Sequence, residues 1–151
     1  MMLADTVCQR ADCTGRHVGA VIIQDDRIIS TGYNGTPIGA ENCSDGGCYR
    51  CAHPESYQPG QGYDMCICVH AEQNAILAAA RFGQRVLGGK LYTTLKPCFG
   101  CLKECLQAGL SEVHYRDDWA ISSQGDAGLL ARQYEDLAKK FRFFGSHSAL
   151  G

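Results

Sequence analysis

Two short segments, His70-Ala71-Glu72 and Pro97-Cys98-Phe99-Gly100-Cys101, hold an imidazole, a carboxylate and two thiols. Taken alone, Cys98 and Cys101 fit a disulfide, a structural metal clasp or a metal that does chemistry. A further ligand and a proton carrier elsewhere in the chain separate these readings. His70, Cys98 and Cys101 make three ligands, which leave a fourth position on tetrahedral zinc for water, the pattern of an open site. Glu72 has no use in a closed clasp, but a carboxylate beside the metal water can carry protons. Zinc lowers the pKa of its water to about 7. The set therefore suits addition of water to an sp² carbon.

Placing these groups together requires strands that end near one another and helices that begin there. Val18 to Gln24 is almost continuously apolar, Asp25-Asp26 signals a turn, and Arg27 to Gly32 is apolar again, which predicts a β-hairpin. A loop from Tyr33 to Pro37 follows. Val69 to Phe82 is rich in helix formers and Gly83 can end it. Lys90 to Leu95 is the next predicted strand. Pro97 suits a helix start, so Cys98 to Ala108 is predicted as a helix closed by Gly109. Glu112 to Tyr115 is a short strand. Asp126 to Lys140 is a helix with Leu129, Leu130, Leu137 and Phe141 spaced for one face. Phe141 to Phe144 is a last strand, and Thr6 to Arg16 holds the end of a first helix. Strands alternating with helices predict an α/β sheet covered on both sides. Ligands in such folds bind where helix N-termini gather at the carboxyl ends of strands.

The chain has 151 residues, enough for one domain with a sizeable core. Its net charge of -2 gives no reason to expect nucleic acid or membrane as a partner. No apolar run reaches the roughly 20 residues of a membrane span, and the N-terminus lacks signal-peptide features. A cytoplasmic location is expected. Ten cysteines stand out; in a reducing compartment, clustered cysteines point to metal. Residues 39–68 have too little apolar content to fold by burial alone, so a tetrahedral thiolate site would supply folding energy there. Cys105, one turn beyond Cys101, reads as a core thiol, and Cys8 as a free one.

His-x-Glu followed by Pro-Cys-x-x-Cys is the signature of zinc deaminases. In that chemistry Glu72 takes a proton from water, passes it to a ring nitrogen and helps the amine leave as ammonia. At these residues the sequence resembles the cytidine and deoxycytidylate deaminase superfamily. The resemblance extends through Cys13-x-x-Arg16-His17-Val18-Gly19-Ala20-Val21, Gly32-Tyr33-Asn34-Gly35, His70-Ala71-Glu72-Gln73-Asn74-Ala75-Ile76, Thr94-Leu95-Lys96-Pro97-Cys98, and Gln107-Ala108-Gly109 through Val113-His114-Tyr115.

The resemblance implies a three-layer α/β/α fold with a central mixed five-stranded sheet. It implies a single domain over residues 1–151 with a cysteine-rich insertion at about 39–68. It implies dCMP as substrate, Asn34 and Asn74 near the sugar, and Tyr115 near the pyrimidine. Arg16 is the candidate phosphate contact, because guanidinium matches phosphate in bidentate geometry. It further implies a homo-oligomer, a hexamer or dimer, with dCTP and dTTP as effectors together with Mg²⁺. Cys13, Cys43 and Cys48 match positions that help bind a structural zinc in some relatives. Cys66 is preferred over Cys68 as the fourth ligand, with Cys51 and His53 as spares. Two other readings stand beside this one. One is deamination of another cytosine nucleotide or base. The other is a non-catalytic zinc-binding interaction module.

Overall fold

The computed structural model describes residues 1–57, 62, 65–120 and 126–145. Residues 58–61 and 63–64 of the expected insertion lie outside the described residues. In chain order the elements are α1 (Met2–Cys8), β1 (Gly19–Gln24), β2 (Arg27–Tyr33), α2 (Tyr49–Ala52), α3 (Ala71–Arg81), β3 (Lys90–Leu95), α4 (Phe99–Gln107), β4 (Glu112–Asp117), α5 (Asp126–Ala138) and β5 (Arg142–Phe144). Short 3-10 turns span Cys43–Asp45 and Pro54–Ser56.

The five strands form one mixed sheet in the order β2-β1-β3-β4-β5. β1 runs antiparallel to β2 and β3, while β3, β4 and β5 run parallel. Asp25 and Asp26 join β1 to β2 with φ of 50° and 58°. Both central residues are left-handed, the geometry that matches strand twist in a two-residue hairpin.

Two glycines set how close the helices come. A Cβ on Gly19 would strike the backbone of Ala4 and Cys8 in α1, and one on Gly32 would strike the backbone of Ala71 and Ala75 in α3. Ala20 pairs with Gly32 and Gly19 with Tyr33. Neighbours along a strand point to opposite faces, so α1 and α3 cover opposite sides of the sheet. The main core lies on the α3 side. There Ile22, Leu91 and Val113 sit side by side in register and pack with Leu102 of α4 and Tyr134 of α5. Burying each of the large aliphatic side chains contributes about 1.5–3 kcal/mol.

The sequence-predicted elements differ from the structure at their ends. α3 begins at Ala71 rather than Val69, because Val69 pairs with Gly35 in an isolated antiparallel bridge. Cys98 is the N-cap of α4, so Pro97 stands just before the helix. Leu129, expected on the inner face of α5, is exposed. Tyr134 takes the inner position instead, and its hydroxyl donates to the carbonyl of Pro97 at 2.7 Å. Gly83 and Gly109 follow the last residues of α3 and α4 with φ of 66° and 77°, the left-handed conformation that closes a helix.

Candidate active site

β2 and β3 each deliver one half of the site. At the end of β2, Gly35 and Val69 exchange backbone hydrogen bonds of 3.2 and 2.8 Å. This clamp fixes His70 as the N-cap of α3. Oε1 of Gln73 accepts from the His70 amide at 3.0 Å, and Nε2 of Gln73 donates to Glu104 of α4 at 2.9 Å. The first turn of α3 is thereby tied to the second half of α4. Beyond β3, Cys98 and Cys101 occupy the cap and first turn of α4.

Nδ1 of His70 lies 3.4 Å from Sγ of Cys98 and 3.3 Å from Sγ of Cys101. All three donor atoms fall within 4.8 Å of one another. A tetrahedral zinc with ordinary bond lengths separates a nitrogen and a sulfur ligand by about 3.5 Å. Two thiols and an imidazole are a donor set that suits this ion, so the residues present fit zinc. His70 and Cys98 are half-buried and Cys101 is buried, which leaves the cluster open on one side. The Cys101 thiol, followed by the His70 ring, pushes Cys98 down to about 4, and the Cys98 thiolate in turn raises His70.

Glu72, in the first turn of α3, is 4% exposed. Burial pushes its carboxyl above the ordinary carboxylate range. Thr93 of β3 donates to Glu72 Oε1 at 3.4 Å. Tyr115 is the register partner of Thr93 on β4, so it borders the same end of the sheet.

The remaining predicted residues lie around this centre. Asn34 is buried, with Oδ1 accepting from the Val18 amide and Nδ2 donating to the Arg16 carbonyl, both at 2.7 Å. The side chain braces residues 16–18. Asn74 Nδ2 donates to the Tyr33 carbonyl at 2.7 Å, pinning α3 to β2. Arg16 is exposed and lines a cavity of about 380 Å³ with His17, Thr94, Leu95, Asp117 and Asp118. His70, Glu72, Cys98 and Cys101 are not among the lining residues of that cavity. Sequence reasoning missed Thr93 and Gln73. Thr93 carries no motif signal, whereas Gln73 could have been found from its place three residues after the cap, where a side chain reaches back to the cap amide.

The cysteines of the insertion group differently from expectation. Cys13, Cys43, Cys51 and Cys68 form one set within 4.8 Å, and Cys48, Cys51, Cys66 and Cys68 form another. Cys66 does not complete a set with Cys13, Cys43 and Cys48. Cys68, ranked below Cys66 as the fourth ligand, is buried in the cluster and belongs to both sets. The extended Cys68-Val69-His70 segment accounts for this.

The sequence profile described as "Cytidine and deoxycytidylate deaminase zinc-binding region" matches residues 1–116. The chain belongs to the cytidine and deoxycytidylate deaminase family. Among proteins of that family, it is 41% identical to the deoxycytidylate deaminase of Schizosaccharomyces pombe over 140 residues, covering 89% of this chain and 42% of that protein. Against the deoxycytidylate deaminase of Mycobacterium phage D29 it is 39% identical over 116 residues, covering 75% of this chain and 88% of the phage protein. The chain thus spans less than half the length of the two yeast relatives it matches. The dCMP deaminase of cyanophage S-TIM5, solved in complex with dCMP and dUMP, superposes with a TM-score of 0.68 at 26% identity, covering 95% of this chain and 91% of that one. Among the described residues, no helix is long and apolar enough to cross a membrane.

Proposed function

We propose that this chain catalyses hydrolytic deamination of dCMP to dUMP and ammonia, with His70, Cys98 and Cys101 as zinc ligands and Glu72 as the proton carrier. The observation that carries this reading is the buried carboxylate of Glu72, two residues from His70, beside a three-donor cluster that is open on one side. Zinc held by those donors supplies Lewis acidity toward water. Glu72 accepts one proton from the water that adds to C4 of cytosine and delivers it to N3. It then moves the proton of the new C4 hydroxyl to the exocyclic amine. The C4–N bond breaks, the C4 carbonyl forms, and ammonia leaves. Burial favours this role, because a carboxyl raised above its ordinary range holds a proton more readily than an exposed one.

Asn34 and Asn74 stand in this reading as residues that shape the sugar side of the site, and Tyr115 as a wall beside the pyrimidine. Arg16 takes the 5′-phosphate. Its cavity at the ends of β3 and β4 supports that assignment, and the complex of the cyanophage relative with dCMP and dUMP supports a nucleotide as the substrate. The chain is then one cytoplasmic catalytic domain with an insertion at about 39–68. It works as a homo-oligomer, and dCTP and dTTP with Mg²⁺ act as effectors.

Ammonia release from dCMP, CMP, dCTP, deoxycytidine and cytosine tests the substrate. dCMP is expected to exceed deoxycytidine by at least about tenfold in kcat/KM, the worth of one charge-assisted contact. Equal rates with and without the 5′-phosphate would exclude the nucleotide assignment.

A further inference from the structure

Six cysteines take no part in the reaction proposed above. Cys13 follows α1, Cys43 lies in the first 3-10 turn, Cys48 caps α2, Cys51 lies within α2, and Cys66 and Cys68 lead into the Val69 clamp. Five of the six are buried, and together they form a separate core cluster. The sulfurs are 3.8 Å apart for Cys13 and Cys51, 3.7 Å for Cys48 and Cys66, and 3.6 Å for Cys51 and Cys66. A disulfide needs about 2.0 Å. Tetrahedral zinc with Zn–S bonds of about 2.3 Å separates its sulfurs by about 3.8 Å. The spacing is that of thiolates around an ion.

The grouping sets the number of ions. One tetrahedral ion uses four sulfurs and would strand the others in a buried, polar-poor cluster. Two independent ions would need eight donors, and six are present. His53, a spare donor in the sequence, pairs instead with Glu55 at 3.4 Å and joins neither set. The two four-sulfur sets overlap at Cys51 and Cys68. We propose that the six thiolates hold two zinc ions, with Cys51 and Cys68 each bridging both. Cys13 and Cys43 complete one tetrahedron, and Cys48 and Cys66 complete the other.

A hydrogen bond to Cys43 agrees with this division. The backbone amide of Thr14 reaches the Cys43 sulfur at 3.4 Å. Cys43 touches a single ion in the proposed arrangement, so its sulfur keeps a lone pair free for that donor. Bridging also lowers the charge that the protein must bury. Six thiolates around two divalent ions carry a smaller excess than six thiolates around one.

Elemental analysis and native mass spectrometry of the full chain are expected to give about three zinc ions per chain, two in this cluster and one at His70. A count near two, or iron in place of zinc, would overturn the proposal. Zinc-edge X-ray absorption on a His70→Ala variant isolates the cluster. A zinc–zinc scattering path with all-sulfur ligation is expected, and its absence would refute the shared-thiolate arrangement. Cys51→Ser and Cys68→Ser should each lower the count by at least one, while Cys105→Ser should leave it unchanged. If either serine variant fails to fold, the wild-type count and the absorption spectrum still decide. The Glu72→Gln variant separates this claim from the proposed activity, since it should lose turnover with the same zinc count.

Discussion

The Thr93 hydroxyl donates to Oε1 of Glu72 across 21 residues of sequence, from the middle of a sheet to the first turn of a helix. Thr93 is fully buried, so this donor cannot be replaced by bulk water. Thr93→Val keeps the shape and removes the hydroxyl. We expect kcat to fall about tenfold, near 1.4 kcal/mol, with KM little changed. Steady-state ammonia release checks this, and an unaltered kcat would mean that Thr93 only packs. Glu72→Gln should cost about 10²–10⁴-fold in kcat while zinc content stays the same.

Arg16 is set apart from Glu72 by its place on an exposed cavity rim. If it holds a phosphate, Arg16→Ala should raise KM for dCMP by about tenfold or more and leave deoxycytidine turnover untouched. Comparable losses on both substrates would assign Arg16 to folding instead.

Gly32 gives a purely steric prediction. Its α-carbon lies under the backbone of α3, where a methyl group would collide with Ala71 and Ala75. Backbone cannot rotate away as a side chain can. Gly32→Ala should therefore destabilise by about 1–3 kcal/mol. It should also displace His70 and Glu72, which lie at the same end of that helix. Thermal unfolding and activity should fall together. A stable, fully active variant would show that α3 can shift without harm to the site.

Glu112 supplies a pH signature away from the metal ligands. It is buried at the start of β4. Burial pushes its carboxyl up, but His114 at 2.9 Å, Arg142 and Lys90 at 3.4 Å overcome this and hold it below the ordinary range. A depressed carboxyl stabilises the fold above its unfolded-state value, near 4.3, and that contribution disappears as pH falls through the lower folded-state value. Wild type should exceed Glu112→Gln in Tm at pH 7, and the gap should close on acidification below about 4. A gap that does not vary with pH would rule out the ionic account.

Local chemistry was legible in the sequence to the extent that it depends on short-range spacing. The hairpin at Asp25-Asp26, the glycines closing α3 and α4, and the grouping of His70 with Cys98 and Cys101 follow from turn propensity, helix ends and one-turn spacing. The cysteine cluster was not legible in the same way. Residues 39–68 lack periodicity, so nothing local says which thiols meet. Cys68 turned inward because the Val69 bridge holds that segment extended, a long-range pairing with no local signal. Asn34 reads equally as a turn residue or a ligand contact, and only the path of residues 16–18 shows which backbone groups its amide braces.

The Gly35–Val69 clamp has an evolutionary consequence. It makes the stretch between those residues a closed loop whose ends are already joined beside His70. Lengthening such a loop costs only slowly growing closure entropy, about 0.6 kcal/mol per doubling. The stretch is thus free to gain or lose residues over generations, provided the sulfurs keep their places, while the imidazole beyond the clamp stays where it is.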